Sequence, residues 1–207
     1  MAQFATHDEF AARIGLTLTS DEQARADTLL TLASGLIQQE ARQTVELVED
    51  DVLAVPSIYG ERFRLPQRPV VSISSVILTP HQQDPVTVDP AVYYLDKDEL
   101  VRITSRLIFP ELQFVHWSPG WLGPYWTITV TYTHGFATIP EVVKSVCMEA
   151  VVRAWVNPGS VARQTIGDTA TVYDNMRFSP TGLLLTEDEK KNINDLLRRR
   201  SGSVTLR

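Results

Sequence analysis

The stretch WTITVTYTHGFATIPEVVKSVCMEAVVRAWVNPG, residues 126–159, carries two different periodicities on either side of one glycine. From Trp126 to Thr133, apolar side chains occupy the even positions (Trp126, Ile128, Val130, Tyr132) and threonine occupies every odd one. A period of two puts alternate side chains on opposite faces, so this is a strand with one buried and one wet face. His134-Gly135 reads as a turn. Pro140 suits a first helical position, because its fixed φ is helical and its missing N–H is not needed there. Val143, Val146, Cys147, Ala150, Val151 and Ala154 then recur at i, i+3, i+4, i+7, i+8 and i+11, one stripe of an α-helix. Asn157-Pro158-Gly159 ends it.

Upstream of this stretch the chain is proline-rich and β-branched. Nine of its twelve prolines lie between Val52 and Gly135, which excludes long helices there. Arg68–Leu78 reads as a strand entered through proline. Val92–Leu95 and Leu100–Ile103 read as a hairpin around a four-residue turn, Asp96–Glu99. Further upstream the pattern is helical. Thr6 and Glu9 form a capping-box pair for a helix to about Ile14, with Gly15 as its stop. Thr19 and Glu22 repeat the pair. The spacing of Leu29, Leu32, Ala33, Leu36 and Ile37 predicts the buried stripe of a helix running to about Val48. The acids of Glu46–Asp51 oppose a helix dipole and read as a solvated, flexible linker. Downstream, a β-like piece surrounds Thr169–Tyr173. Thr186 and Glu189 make a third capping box, opening a helix to about Arg199 with acids first and bases last.

The expected architecture is therefore α+β: a small helical bundle core interrupted by a β-rich antiparallel insertion, with a C-terminal helix and an extended tail. In residue numbers this is one domain over 1–207, with N-terminal helices 1–51, insertion 52–135, C-terminal helices 136–200 and tail 201–207.

Composition narrows the function classes. Hydrophobic residues make up 43% and charged residues 21%, values that allow a real core and exclude a disordered chain. The net charge of -6 argues against a free-standing nucleic-acid binder, which needs a basic face. Charge is also uneven. Residues 1–55 hold ten acids and three bases, whereas 198–207 hold four arginines and no acid, an asymmetry that suggests intermolecular contacts at the ends. The single cysteine, Cys147, excludes an intrachain disulfide and cysteine-based zinc sites, and reads as a buried thiol. Met1–Arg13 lacks a signal-peptide core and no apolar run approaches membrane-spanning length, so a soluble protein made in a cytoplasm is expected.

The sequence carries no readable catalytic site and implies no cofactor or metal. Phosphate-loop, dinucleotide-binding and nucleophile-elbow motifs are all absent. His7, His81, His116 and His134 show no metal-ligand spacing. His134, at a strand end before a glycine, is the residue on which a small hydrolase would rest, as would His116, with an acid beside it. The plainer reading of His134 is a turn residue. Glu46, Glu49, Asp50 and Asp51 lack the alternation and central glycine of a calcium loop. Trp117 and Trp121, with Trp126, lie among Pro119, Gly120, Gly123 and Pro124. They read as packing over one end of the sheet or, for Trp117 and Trp121, as a subunit interface. No lysine or arginine lies between Gln113 and Trp126, which disfavours base stacking. Arg198-Arg199-Arg200 reads as helix C-terminal electrostatics, a nucleic-acid patch, or an ion-paired docking segment for a protein.

Several segments, in order along nearly the whole chain, resemble the head–tail connector (adaptor) family of long-tailed double-stranded DNA bacteriophages. They are Leu16–Glu22 between the first two helices, RPVVSISSVIL (68–78), YYLDKDELVRI (93–103), ITVTYTHGFATIPEVVKSVCMEAVVRAWVNPG (128–159), RQTIGDTATVY (163–173) and GLLLTEDEKKNINDLLRRR (182–200). The most specific are 128–159, and 163–173 followed by 182–200. The resemblance implies a non-enzymatic virion protein at the head–tail junction, assembled in the host cytoplasm. It implies a homo-oligomeric ring of about twelve subunits beneath the capsid portal. Such a ring extends the DNA channel, passes DNA without reading its sequence, and offers a platform for a stopper or tail-terminator protein, with no membrane involved. It also implies portal docking by the C-terminal segment, here Leu196, Leu197, Arg198, Arg199, Arg200, Val204, Leu206 and Arg207. The insertion 52–135 departs from the smallest family members. The competing readings are a stopper or tail-completion protein at the same junction, a small hydrolase, and a DNA-binding accessory protein.

Overall fold

The structure, a computed structural model, describes residues 3–56, 62–80, 84–102, 126–157, 163–166, 169–172 and 183–197. The fold is α+β. The chain forms two compact units, one of residues 1–42 and 139–207 and one of residues 43–138.

The first unit is helical. Helices α1 (His7–Ile14), α2 (Ser20–Ala41), α3 (Glu141–Val156) and α4 (Glu187–Leu197) belong to it, with the small hairpin β8 (Arg163–Ile166) and β9 (Thr169–Val172). The Thr6 and Thr19 capping boxes form as the spacing predicts: each threonine hydroxyl accepts from the glutamate N–H, and each glutamate accepts from the threonine N–H. Gly15 ends α1 in the left-handed region, at φ 69°. The stripe expected of α3 is buried at all six positions. Pro140 sits one residue earlier than expected, at the N-cap.

Two expectations for α2 need correction. The helix stops at Ala41, with Arg42 left-handed at φ 53°, seven residues short of Val48. Its buried face is Ala26, Leu30, Ala33, Ser34, Ile37 and Ala41, while Leu32 is exposed and Leu29 and Leu36 are half-buried. Of the five residues expected on the stripe, Ala33 and Ile37 lie on the buried face and the three leucines lie off it. Small residues line the real seam, and alanines let packed helices approach closely. Ser34 is satisfied within it. Its hydroxyl donates to the Leu30 carbonyl at 2.7 Å and accepts from the Phe4 N–H at 3.0 Å.

The second unit is built of antiparallel strands. One sheet has the order β1-β7-β3-β4, from β1 (Val48–Pro56), β3 (Val70–Pro80), β4 (Val86–Thr87) and β7 (Trp126–His134); the other is β2 (Arg62–Arg64), β6 (Glu99–Arg102) and β5 (Tyr93–Asp96). One core joins them: Val76, Leu78, Ile128, Val130 and Tyr132 pack in the same cluster as Phe63, Tyr93 and Leu100. The threonines of β7 face away from it, as period two requires. The hairpin turn is tighter than expected. Asp96 pairs with Glu99, leaving Lys97-Asp98 as a two-residue turn with Lys97 at φ 58°.

The acid run Glu46–Asp51 is not a linker but the approach to β1 and its first residues. A register shift between Val48 and Asp51 marks a bulge, with Asp50 at φ 50°. Asp50 is held there by the Ser74 hydroxyl, which donates to its carboxylate at 2.6 Å. Among the described residues β1 pairs only with β7, so it is an edge strand. Acids, a bulge and a terminal proline are three devices that keep an edge from recruiting foreign strands. Propensity argued against acids in a strand; the need to blunt an edge outweighs it.

Gly135 closes this unit. Its φ is 91°, its N–H donates to the Pro69 carbonyl at 2.8 Å, and an added Cβ would overlap the Glu46 carbonyl. The neighbouring Phe136 N–H donates to Val45 at 2.9 Å. Glycine is required here by conformation and by space together.

Candidate functional site: the C-terminal helix and its seat

Leu196–Arg207 is the segment to which the family resemblance assigns docking. Within it the structure describes Leu196 and Leu197, the last residues of α4. Arg198, Arg199, Arg200, Val204, Leu206 and Arg207 lie outside the described residues, as do Trp117, Trp121, His81 and His116.

Helix α4 begins with the third capping box. Its Glu189 carboxylate accepts from the Thr186 N–H at 2.7 Å, and the Thr186 hydroxyl accepts from the Glu189 N–H at 3.3 Å. The same carboxylate then reaches α3. Arg153 donates from both terminal nitrogens to its two oxygens, each at 2.7 Å, and from one of them also to the Leu184 carbonyl at 2.9 Å. The Glu189 side chain is 7% exposed and that of Arg153 26%. A bidentate pair this sheltered is among the stronger charge-assisted contacts, and it fixes orientation as well as distance. Asn194 donates to Glu40 of α2 at 3.2 Å. Ile193 and Leu197 are buried, and Leu196 is half-buried. Leu197 is thus a core residue, and only Leu196 of the two keeps a surface for docking.

Beside this seat is an open cleft of about 500 Å3, lined by Leu36, Gln39, Glu40, Arg42, Leu183, Leu184, Leu185 and Lys190. Its lining combines leucines with side chains of both charges. Among the described residues no histidine lines it.

The sheet unit places His134 at the end of β7 with its ring 2% exposed. Nε2 is 3.1 Å from Asp51 Oδ2, and Nδ1 is buried with no hydrogen-bond partner. Tyr132 lies against it, ring centroids 5.2 Å apart. Burial, with Asp51 nearby, pushes the Tyr132 phenol up to about 12. The His134–Asp51 pair ties β7 to the bulge of β1. Its buried ring offers no face to a substrate. His7 bridges Asp27, with Nδ1 3.1 Å from Oδ1, and serves to pin α1 on α2. Among the described residues no group of three or more His, Cys, Asp or Glu side chains could hold a metal ion, and no helix is long and apolar enough to cross a membrane. Cys147 is buried between α3 and α2, and burial pushes its thiol up to about 11.

No family model matches the chain, and no curated protein matches it. Among solved structures, a chain of the assembly described as "Neck of empty GTA particle computed with C6 symmetry" matches with TM-score 0.47 and 16% identity, over 72% of this chain and 76% of that chain.

Sequence reasoning found Glu189 as a cap but missed Arg153 as its partner. It also missed the pairing of His134 with Asp51. Arg153 flanks the buried stripe of α3, next to Ala154, the one signal that could have drawn attention to it.

Proposed function

We propose that this chain is a structural subunit of a head–tail junction in a tailed-phage-like particle. It forms a ring beneath the portal, continues the DNA channel and joins head to tail, without catalysis. The observation that carries the reading is α4. The helix that the resemblance marks as the root of portal docking is seated on the helical unit, and the next three residues in sequence are Arg198-Arg199-Arg200. Arginine suits docking on an acidic rim, because its planar fork grips carboxylates bidentately. The acidic balance of the rest of the chain suits a channel through which DNA slides, since like charges repel at close range. The strong polar contacts described above tie elements of the fold together, as a scaffold requires.

The test is capture of the purified protein by the portal assembly of the same particle, followed by electron microscopy. A coaxial ring of density on the portal is the expected result. Binding only to an already assembled portal–adaptor complex would move the protein one position down, to stopper. Binding to neither would overturn the junction reading. Replacing Arg198, Arg199 and Arg200 together by alanine is expected to abolish capture, and unchanged capture would remove them from the docking role.

A further inference from the structure

We infer that Arg153 and Glu189 are positioning residues for the docking segment: their fork seats α4 before any partner arrives, so that Leu197, which the docking arginines follow in sequence, is held at a set point. This rests on the docking reading of α4 given above. The reason is the composition of the helix. Of its eleven residues, EDEKKNINDLL, eight are polar, and the apolar ones all lie in its second half. A helix of this length is marginal in water by itself. Ile193 and Leu197, one turn apart and both buried, anchor that second half. No apolar side chain anchors the first half. Glu189 anchors it instead, through Arg153, and the same guanidinium holds the Leu184 carbonyl on the approach to the helix.

An apolar contact would tolerate sliding and rotation. A bidentate fork with a third hydrogen bond does not, which is why planar ion pairs set registry. The design therefore specifies where α4 points more than it adds to the core. Capping alone does not explain it, because α1 and α2 carry the same box on glutamates that are exposed (Glu9) or only half-buried (Glu22), whereas Glu189 is buried and turned into the unit.

The experiment compares the full chain with three variants. Glu189→Gln weakens the fork, and Arg153→Lys keeps the charge but loses the planar grip. Thr186→Ala removes one cap hydrogen bond and leaves the fork, and so controls for capping. Hydrogen exchange is read over 190–197 and over α2 in the free protein, and capture by the portal assembly is read in parallel. Exchange over α4 is expected to rise about tenfold or more in Glu189→Gln, with Arg153→Lys intermediate and Thr186→Ala smallest, about fivefold or less. Exchange over α2 stays within about twofold. Portal capture should weaken in the same order. The inference is overturned if α4 in the unsubstituted chain exchanges like an unprotected peptide, or if Glu189→Gln leaves its protection intact. It is equally overturned if the variants free α4 yet are captured as well as the unsubstituted chain. Failure of the unsubstituted chain to bind the portal at all would instead bring down the docking reading, and the exchange data would still report the tie.

Discussion

In the helical unit, α1, α2 and α4 each start with a threonine and a glutamate three residues apart; in the sheet unit, β1, β3 and β7 carry no such local start and depend on partners far along the chain. Leu53 faces Val130 and Val76 faces the same valine from the other side. The helices can be told where to begin by four consecutive residues. The register of the strands is matched by the turn at Gly135 and the bulge at Asp50. The contrast predicts different weak points in the two units.

The largest effect should come from the turn. Gly135→Ala forces a Cβ into the Glu46 carbonyl at a strained φ, and is expected to destabilise by about 4 kcal/mol or more. Chemical denaturation gives the loss, and hydrogen exchange should locate it in β1 and β7. A folded variant of ordinary stability would break the comparison, because register would then not depend on that turn.

Next in size is the helical seam. Leu30 is fully buried in α2, and Leu30→Ala should cost about 3 kcal/mol, read from the denaturation midpoint. Leu32→Ala on the exposed face should cost under about 1 kcal/mol. Equal losses would mean that the leucine spacing, and not the alanine seam, marks the packed face.

A pH effect isolates the sheet unit. Folded Tyr132 keeps its proton up to about 12, against an ordinary 10.0 in the unfolded chain. Above the lower value the unfolded chain binds fewer protons, so stability falls as pH rises through this window. Tyr132→Phe should flatten that fall relative to the unsubstituted chain, in urea titrations at rising pH. Identical alkaline slopes would show that the phenol ionises freely in the folded state.

Apart from the Leu32→Ala control, the smallest effect is expected at a helix start. Thr19→Ala removes one cap and should cost about 1 kcal/mol, with Thr19→Ser restoring most of it. A loss as large as that of Leu30→Ala would mean that capping does far more for α2 than its packing suggests.

These cases also mark what was legible in the sequence. The capping boxes, the Gly15 stop, the alternation of β7 and the stripe of α3 are written within a few residues of where they act, and the structure follows them. The face of α2 was misjudged in part because three leucines lie off the seam and three alanines, Ala26, Ala33 and Ala41, lie on it. The acids of β1 were misjudged because edge protection is a property of the sheet and not of the strand. The candidate site was legible in part. Thr186 and Glu189 were visible as a cap, whereas the grip of Arg153, 36 residues earlier, depends on how α3 and α4 meet.

The chain has one thiol, and that thiol is buried and held in its protonated form well above neutral pH. To alkylating reagents the native protein is therefore close to cysteine-free. A cysteine introduced at an exposed site such as Val156 would react almost alone, and a single fluorophore or crosslinker could be placed without first removing Cys147.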